Sequence, residues 1–270
     1  MLEEMLDYIS NLSSNKEIEY DLFVTMSQVD ENAEKRIYEF KDDARIIRVA
    51  NRGYDVAPFL QALKQADLKK YDYIIKMHSK RTLKDTAYLP SCRLKGEDWR
   101  RKLLEFMSCP MHLVKTLKCF EKNPCVGMIS SAELIVNTGK EDYQANQKAA
   151  KIIRGMGLPL RQQKFVAGTM FIARAELFRL FKMLPYDSAD FEEFNPSHQG
   201  GTLAHALERV LGIMIYSQGF KIAPYDNRRI RFIAKVVLYK LQNFIFYKRV
   251  NSKNKLHIKI CKIPVYSKQL

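Results

Sequence analysis

Long apolar runs and paired cysteines are both absent from this chain of 270 residues. No apolar stretch approaches the roughly 20 residues that a membrane-spanning helix needs. The five cysteines are an odd number and show no Cys-x-x-Cys spacing, which argues against a disulfide framework or a structural zinc site and favours free thiols in a reducing compartment. The start, Met-Leu-Glu-Glu-Met-Leu-Asp, is acidic and unlike a signal peptide. We therefore expect the chain in the cytoplasm.

Acidic residues are missing from the C-terminal part of the chain. Residues 228–270 contain 12 lysines and arginines and no Asp or Glu, whereas the rest is close to charge balance. We therefore predict two parts, a globular domain over residues 1–226 and a basic tail over residues 227–270. Such a tail suits the anionic surface of a membrane. A nucleic-acid partner is disfavoured, because interleaved stacking aromatics and a helix-turn-helix signature are lacking. A solvated face and a contact with a partner subunit are the alternatives.

The hydrophobic pattern of the first 226 residues alternates between helices and strands, which predicts an α/β domain with a parallel sheet. A polar loop is expected over residues 81–98. The period-two alternation over residues 256–260 is typical of a strand. The helices are expected over residues 2–13, 30–40, 58–69, 99–107, 111–121, 137–164, 174–183 and 202–211, and the strands over residues 20–26, 44–50, 71–77, 123–130, 165–173 and 216–223.

Four motifs in this order resemble the rhamnan synthesis protein F family over roughly residues 18–225. They are Asn-Arg-Gly-x-Asp-Val-x-Pro-Phe-Leu (51–60), Tyr-Asp-Tyr-Ile-Ile-Lys-x-His-Ser-Lys (71–80), Gly-Thr-Met-Phe-x-Ala-Arg (168–174) and Gly-Thr-Leu-Ala-His-Ala-Leu-Glu-Arg (201–209). The resemblance implies a GT-A-like fold, with a mostly parallel sheet flanked by helices, and transfer of a deoxysugar such as rhamnose. The chain departs from the family pattern in starting at the first helix, without a preceding strand, and in having Gly200 at a position that is often acidic.

The resemblance implies a nucleotide-sugar donor site where the strand over residues 71–77 ends. Ordinary GT-A enzymes hold a divalent metal there with Asp-x-Asp, a motif that this chain lacks. Lys76, His78 and Lys80 would share one face of a strand. We hypothesise that these cations, with Arg52 or Arg81, replace the metal at the donor diphosphate. The alternative is a solvated basic loop. No metal ligand and no cofactor is assigned, and a divalent cation stays open.

The turn over residues 51–55 is expected to form the opposite wall of the donor site. Asn51, Arg52, Gly53 and Asp55 are its candidate donor-binding residues. Gly53 allows a positive φ or a close approach of the backbone. Asp55 has two interpretations, since its carboxylate can accept hydrogen bonds from donor hydroxyls or cap the helix that follows. Both can hold at once.

The acceptor side is assigned to the third and fourth motifs. The resemblance implies that Gly168, Thr169 and Met170 line the cleft near the acceptor, with ordinary strand packing as the alternative. His205 and Glu208 lie three residues apart on one helix face, at the place where the family resemblance expects the catalytic base. Either side chain can deprotonate an acceptor hydroxyl. The alternative is a capping and ion-pairing role, with Glu208 paired to Arg209 or Arg174.

These observations predict a glycosyltransferase at the inner face of the cell membrane. It would transfer a deoxyhexose, with dTDP-rhamnose as the type of donor, to a cell-surface polysaccharide or its lipid-linked precursor. The alternative is a non-catalytic carbohydrate- or nucleotide-sugar-binding relative in the same pathway, which the missing Asp-x-Asp and Gly200 favour.

Overall fold

The computed structural model describes residues 1–15, 18–79, 86–89, 92–138, 143–161, 164–193, 200–225, 237–238, 241, 244, 246–250, 255–260 and 263–269. Its α-helices are α1 (Leu2–Ser13), α2 (Glu31–Phe40), α3 (Val56–Gln65), α4 (Gly96–Leu103), α5 (Pro110–Lys122), α6 (Tyr143–Gly155), α7 (Arg179–Lys182) and α8 (Leu203–Ser217). Its strands are β1 (Phe23–Met26), β2 (Arg45–Arg48), β3 (Tyr73–Lys76), β4 (Thr86–Leu89), β5 (Cys92–Lys95), β6 (Val126–Ser130), β7 (Ile135–Asn137), β8 (Lys164–Val166), β9 (Phe171–Arg174), β10 (Lys221–Pro224), β11 (Phe246–Val250), β12 (Lys255–Ile260) and β13 (Ile263–Gln269).

The first two helices follow directly from local sequence. The apolar stripe of α1 buries Leu6, Ile9 and Leu12, and its bounds match the prediction. The α2 helix begins after Asp30, whose carboxylate accepts a hydrogen bond from the Ala33 amide at 3.0 Å and so satisfies one of the unpaired donors of the first turn.

The central sheet is mixed, so the expectation of a mostly parallel sheet was wrong. Its order is β10-β6-β9-β3. The β10 and β6 strands are parallel, but β9 is antiparallel to both β6 and β3. A second parallel pair, β1-β2, forms a separate ladder. Strand–helix alternation predicts parallel neighbours for consecutive strands, whereas β9 is inserted between two strands that precede it in the chain.

The core lies on both faces of this sheet. All five residues of β6 are buried, and since successive side chains of a strand point to opposite faces, both faces are covered. The α8 helix is buried along most of its length. An aromatic cluster made of Phe59, Phe171, Phe178 and Phe181 joins α3 to β9 and the segment that follows it, with ring centroids 5.7 to 6.4 Å apart.

Several predicted segments have a different structure. The helix predicted over residues 137–164 covers only Tyr143–Gly155, and α8 continues to Ser217, into the strand predicted over residues 216–223. Residues 81–98 were expected to form a loop, but within them β4 and β5 pair as an antiparallel ladder and α4 begins. Residues 165–173 were expected to form one strand, but a turn at Gly168 and Thr169 separates β8 from β9. The apolar residues on both sides of Gly168 and Thr169 conceal this break, because they favour a single buried strand.

The basic tail contains a three-stranded antiparallel sheet in the order β11-β12-β13. The period-two pattern over residues 256–260 is confirmed, since these residues lie in β12. The boundary between the domain and the tail near residue 226 stays a prediction.

Gly212 is a residue at which α8 lies close to β8, and it gives a test of this packing. A Cβ at Gly212 would lie 2.4 Å from the Phe165 Cα and 2.5 Å from the Lys164 carbonyl oxygen. We expect Gly212→Ala to lower the free energy of unfolding by about 1–3 kcal/mol in urea denaturation, because backbone atoms must move apart. Gly155→Ala is the matched control, since nothing lies within 4 Å of its added methyl group and alanine favours a helix. Equal effects of the two substitutions would contradict the close approach.

Candidate functional site

The segment after β2 turns sharply through two residues of positive φ. Gly53 has a φ of 65° and Tyr54 one of 54°. A Cβ at Gly53 would lie 2.4 Å from the Phe191 ring and 2.5 Å from the Ala57 Cβ, so both predicted reasons for glycine are confirmed. The Gly53 amide donates to the Glu192 carbonyl at 3.3 Å. The turn is thereby fixed to the segment that precedes α8.

The outer part of this turn is also tied to that segment. The Arg52 guanidinium donates to the Glu193 carboxylate at 2.7 Å, and a backbone bridge joins the same two residues. Asn51 is exposed. The turn therefore has one exposed polar side chain and one arginine that already has a carboxylate partner.

A second turn, between β8 and β9, faces the first. Gly168 has a φ of 83° and Thr169 one of 51°, and the Thr169 amide donates to the Val166 carbonyl at 3.1 Å. A Cβ at Gly168 would lie 2.5 Å from a Leu103 methyl group. Positive φ is an outlier for a β-branched residue, and such strain persists only where surrounding contacts fix it. Here the fixing contacts come from Lys76 and Asp55.

Lys76, the last residue of β3, joins the two turns. Its ammonium donates to the Asp55 carboxylate at 2.5 Å and to the Thr169 hydroxyl at 2.8 Å. The Thr169 hydroxyl also donates to the Asp55 carboxylate in a short hydrogen bond. The Lys76 side chain is only 2% exposed. Its charge is thus compensated inside the protein and not presented to solvent.

The Asp55 carboxylate is held ionised by this arrangement. Burial acts to raise its pKa, but the charges of Lys76 and His78 and the hydrogen bonds from Lys76 and Thr169 outweigh burial and place the pKa well below its usual range. Asp55 occupies the position before α3, yet its side chain makes no capping hydrogen bond. The capping interpretation was therefore wrong, and the carboxylate serves the cluster instead.

His78 lies at the more accessible side of the cluster. Its Nε2 is 3.0 Å from the Gly168 carbonyl oxygen and 3.6 Å from the Asp55 carboxylate, and its Nδ1 is 3.3 Å from the Ser79 carbonyl oxygen. Because a carbonyl oxygen only accepts, each ring nitrogen must carry a proton to form its bond, and the imidazolium, with both nitrogens protonated, makes both bonds. The side chain is 17% exposed, so it is the basic group of the cluster that a ligand can reach more easily than Lys76.

The start of α8 brings His205 and Glu208 to the same place. The Glu208 carboxylate accepts a hydrogen bond from the Gly168 amide at 3.1 Å. The His205 ring packs edge-on against Tyr54, with 5.4 Å between ring centroids, and its Nδ1 lies 2.5 Å from the Thr202 hydroxyl. The two side chains therefore contact the two turns, one each.

The ion-pair alternative for Glu208 holds in part. Its nearest basic group in the described ion pairs is Arg209, at 3.8 Å. Arg174 is not its partner, because that guanidinium donates to the carbonyl oxygens of Val126 and Phe120.

The structure brings some of the predicted site residues together and leaves others apart. Those that the structure brings together are Asp55, Lys76, His78, Gly168, Thr169, His205 and Glu208, which we call the turn cluster. Met170 is fully buried in the core, so its side chain faces no cleft. Lys80 and Arg81 lie outside the described residues. Among the residues that are described, no group of three His, Cys, Asp or Glu side chains is arranged to hold a metal ion.

Sequence reasoning missed Tyr54, Glu192 and Glu193. Tyr54 lies inside the first motif, but its contact with His205 is made between residues far apart in sequence. The local sequence around Tyr54 therefore does not indicate this contact. The two glutamates are separated from the first turn by about 140 residues, and only the tertiary fold shows that they are its partners.

Comparison with known proteins agrees with the motifs. The rhamnan synthesis protein F family matches residues 1–220. This chain belongs to that family. Membership supports a part in polysaccharide synthesis and a glycosyltransferase-like role.

Two curated relatives are similar at low identity. Both are the uncharacterized protein WxcX of Xanthomonas campestris pv. campestris, from strain B100 and strain ATCC 33913. Each is 26% identical over 183 residues, which is 66% of this chain and 24% of the relative. The chain thus spans about a quarter of the length of these relatives. No solved structure matches it.

The pair formed by the buried Lys76 and the partly buried Asp55 predicts strong energetic coupling. Breaking a buried ion pair at one partner typically costs about 3–5 kcal/mol, because the other charge is left uncompensated. We expect Lys76→Met and Asp55→Asn each to lower the free energy of unfolding by about this much, and the double variant to lose clearly less than the sum. Urea denaturation measures all three. Lys35→Met is the control, since its pair with Glu39 is exposed and such pairs contribute little. Additive losses would contradict the coupling.

The lowered pKa of Asp55 also predicts a dependence of stability on pH. A carboxylate whose pKa is lower in the folded state stabilises the fold above its unfolded value of about 3.9 and loses this contribution as the pH falls toward the folded value. We expect the free energy of unfolding of the unmodified protein to fall more steeply between about pH 5 and pH 3 than that of the Lys76→Met, Asp55→Asn double variant. Parallel curves would show that Asp55 titrates normally.

Proposed function

We propose that this chain is a glycosyltransferase domain that transfers a deoxyhexose, rhamnose foremost, from a nucleotide-sugar donor to a cell-surface polysaccharide or its lipid-linked precursor. Family membership supports the pathway. The observation that carries the reaction type is the turn cluster, in which an ionised carboxylate, a reachable histidine and a second histidine on α8 converge from three parts of the chain. Glycosyl transfer needs these kinds of groups, held in fixed geometry.

In this proposal the donor diphosphate lies beside His78. The leaving group gains negative charge as the glycosidic bond breaks, so a preorganised positive group at that place lowers the barrier. The His78 side chain is more exposed than that of Lys76, and Lys80 follows His78 in the chain. Lys76 acts differently, as a positioning residue, because its ammonium holds Asp55 ionised and oriented toward the hydroxyl groups of the donor.

His205 is proposed as the general base toward the acceptor hydroxyl. The base must accept a proton at a ring nitrogen. When Nδ1 donates its proton to the Thr202 hydroxyl, 2.5 Å away, Nε2 is the nitrogen that accepts. Glu208 is proposed to position the second turn, since its carboxylate holds the Gly168 amide. His205 and Glu208, the two catalytic candidates predicted from the sequence, thus have separate roles in this proposal.

The test is a screen of dTDP-, UDP- and GDP-sugars for nucleotide release, with and without divalent metal. We expect turnover with a dTDP-deoxyhexose, and a loss of about 10²–10⁴-fold in kcat for His205→Ala, the usual range for a general base. The matched control is His112→Ala, since His112 bonds to Ser108 at the start of α5 and touches no member of the cluster in the described contacts. If His205→Ala keeps turnover within a few-fold, the base assignment fails, and if Glu208→Gln does so, the positioning role of Glu208 fails. Activity that EDTA abolishes and manganese restores would contradict the role of His78 and Lys80 in place of a metal.

A non-catalytic nucleotide-sugar-binding protein is the second candidate. It is favoured by the internal neutralisation of Lys76 by Asp55, because a buried pair that is already satisfied contributes little charge to a leaving group. Calorimetric binding of the same sugar nucleotides without nucleotide release, under all metal conditions, would support this candidate over the enzyme.

A further inference from the structure

The C-terminal part exposes an apolar surface beside its basic residues. Val237, Leu238, Leu241 and Phe244 have helical backbone, and their side chains are 49%, 58%, 51% and 45% exposed. Their spacing of one, four and seven residues after the first is that of a single helix face. We call these four residues the apolar face. Single exposed apolar residues need no explanation, but a group of four large ones on one face indicates an interaction site.

The charge around the apolar face identifies its partner. The face lies within residues 228–270, which contain 12 lysines and arginines and no acidic residue. Arg228, Arg229, Arg231 and Lys235 precede it, and Lys248 and Arg249 follow it. A protein partner would have to match a long stretch of one sign of charge, whereas the phosphates of an anionic bilayer present a continuous surface of the opposite sign.

The helices that the structure describes include none long and apolar enough to cross a membrane. A short helical face of large apolar residues with basic residues around it is instead the pattern of a segment that lies in the plane of the membrane interface. We propose that Val237, Leu238, Leu241 and Phe244 insert at the boundary between headgroups and acyl chains of an anionic membrane, while lysines and arginines that neighbour them in sequence contact lipid phosphates.

Membrane binding by the apolar face is a property separate from the proposed transfer reaction. It would hold the domain at the leaflet where a lipid-linked acceptor is found, and a lipid-anchored acceptor is restricted to that surface. Because membrane binding and turnover on soluble donor are measured separately, failure of one does not imply failure of the other.

The first experiment measures co-sedimentation of the full chain with vesicles of phosphatidylserine and phosphatidylcholine, and with phosphatidylcholine alone. We expect binding to the anionic vesicles that weakens with salt. Leu238→Gln together with Leu241→Gln should weaken binding at least tenfold, because two large apolar side chains no longer enter the bilayer. The matched control is Val29→Gln with Met183→Gln, two exposed apolar residues far from the tail in sequence, which should bind like the unmodified chain.

The second experiment reports insertion directly. In Phe244→Trp, quenching of the new tryptophan by brominated lipids is expected, and the unmodified chain, with Trp99 as its single tryptophan, gives the background. Three outcomes would overturn the proposal: equal vesicle binding by the Leu238, Leu241 variant and its control, equal binding to neutral and anionic vesicles, or quenching no greater than background. A shift of the oligomeric state of the Leu238, Leu241 variant in size-exclusion chromatography, with unchanged vesicle binding, would assign the face to a second copy of the chain.

Discussion

One buried ammonium group determines the geometry of the candidate site. Lys76 ends β3 with its charge almost completely removed from water, and a charge in that position is tolerated only when it is paired and hydrogen-bonded. The Asp55 carboxylate and the Thr169 hydroxyl meet both needs. Because these partners belong to turns that are more than 110 residues apart, the pairing requires the two turns to face each other.

The strained backbone of the turns follows from the same requirement. Thr169 adopts a positive φ that its branched side chain disfavours, and the position of its hydroxyl between Lys76 and Asp55 is what this conformation provides. The cost of the conformation is offset by satisfying the buried Lys76 ammonium and the partly buried Asp55 carboxylate. A residue without a hydroxyl at this position would leave the lysine with one partner fewer, and the strain with no compensation.

Much of this architecture could be predicted from the sequence, and the errors have physical causes. The amphipathic stripe of α1 is a local feature, so the bounds of this helix followed from periodicity. The single strand expected over residues 165–173 was wrong because a threonine of positive φ leaves no trace in the sequence. The inserted position of β9, and with it the mixed sheet, depends on tertiary pairing. The motifs did predict that Asp55, Lys76 and His78 lie on the same side of the domain. They did not predict that Lys76 and Asp55 neutralise each other.

Gly168 is held from both sides of its Cα atom. Its amide donates to Glu208 on α8, and its carbonyl accepts from His78 after β3. Glycine has the greatest backbone freedom of the residues in the cluster. At Gly168 this freedom is restricted by the two hydrogen bonds, and the backbone cannot rotate unless one of them is broken. A ligand that draws His78 away from the carbonyl would release one of the two hydrogen bonds that restrain Gly168. The segment after β3 and the α8 helix are in this way linked through one glycine.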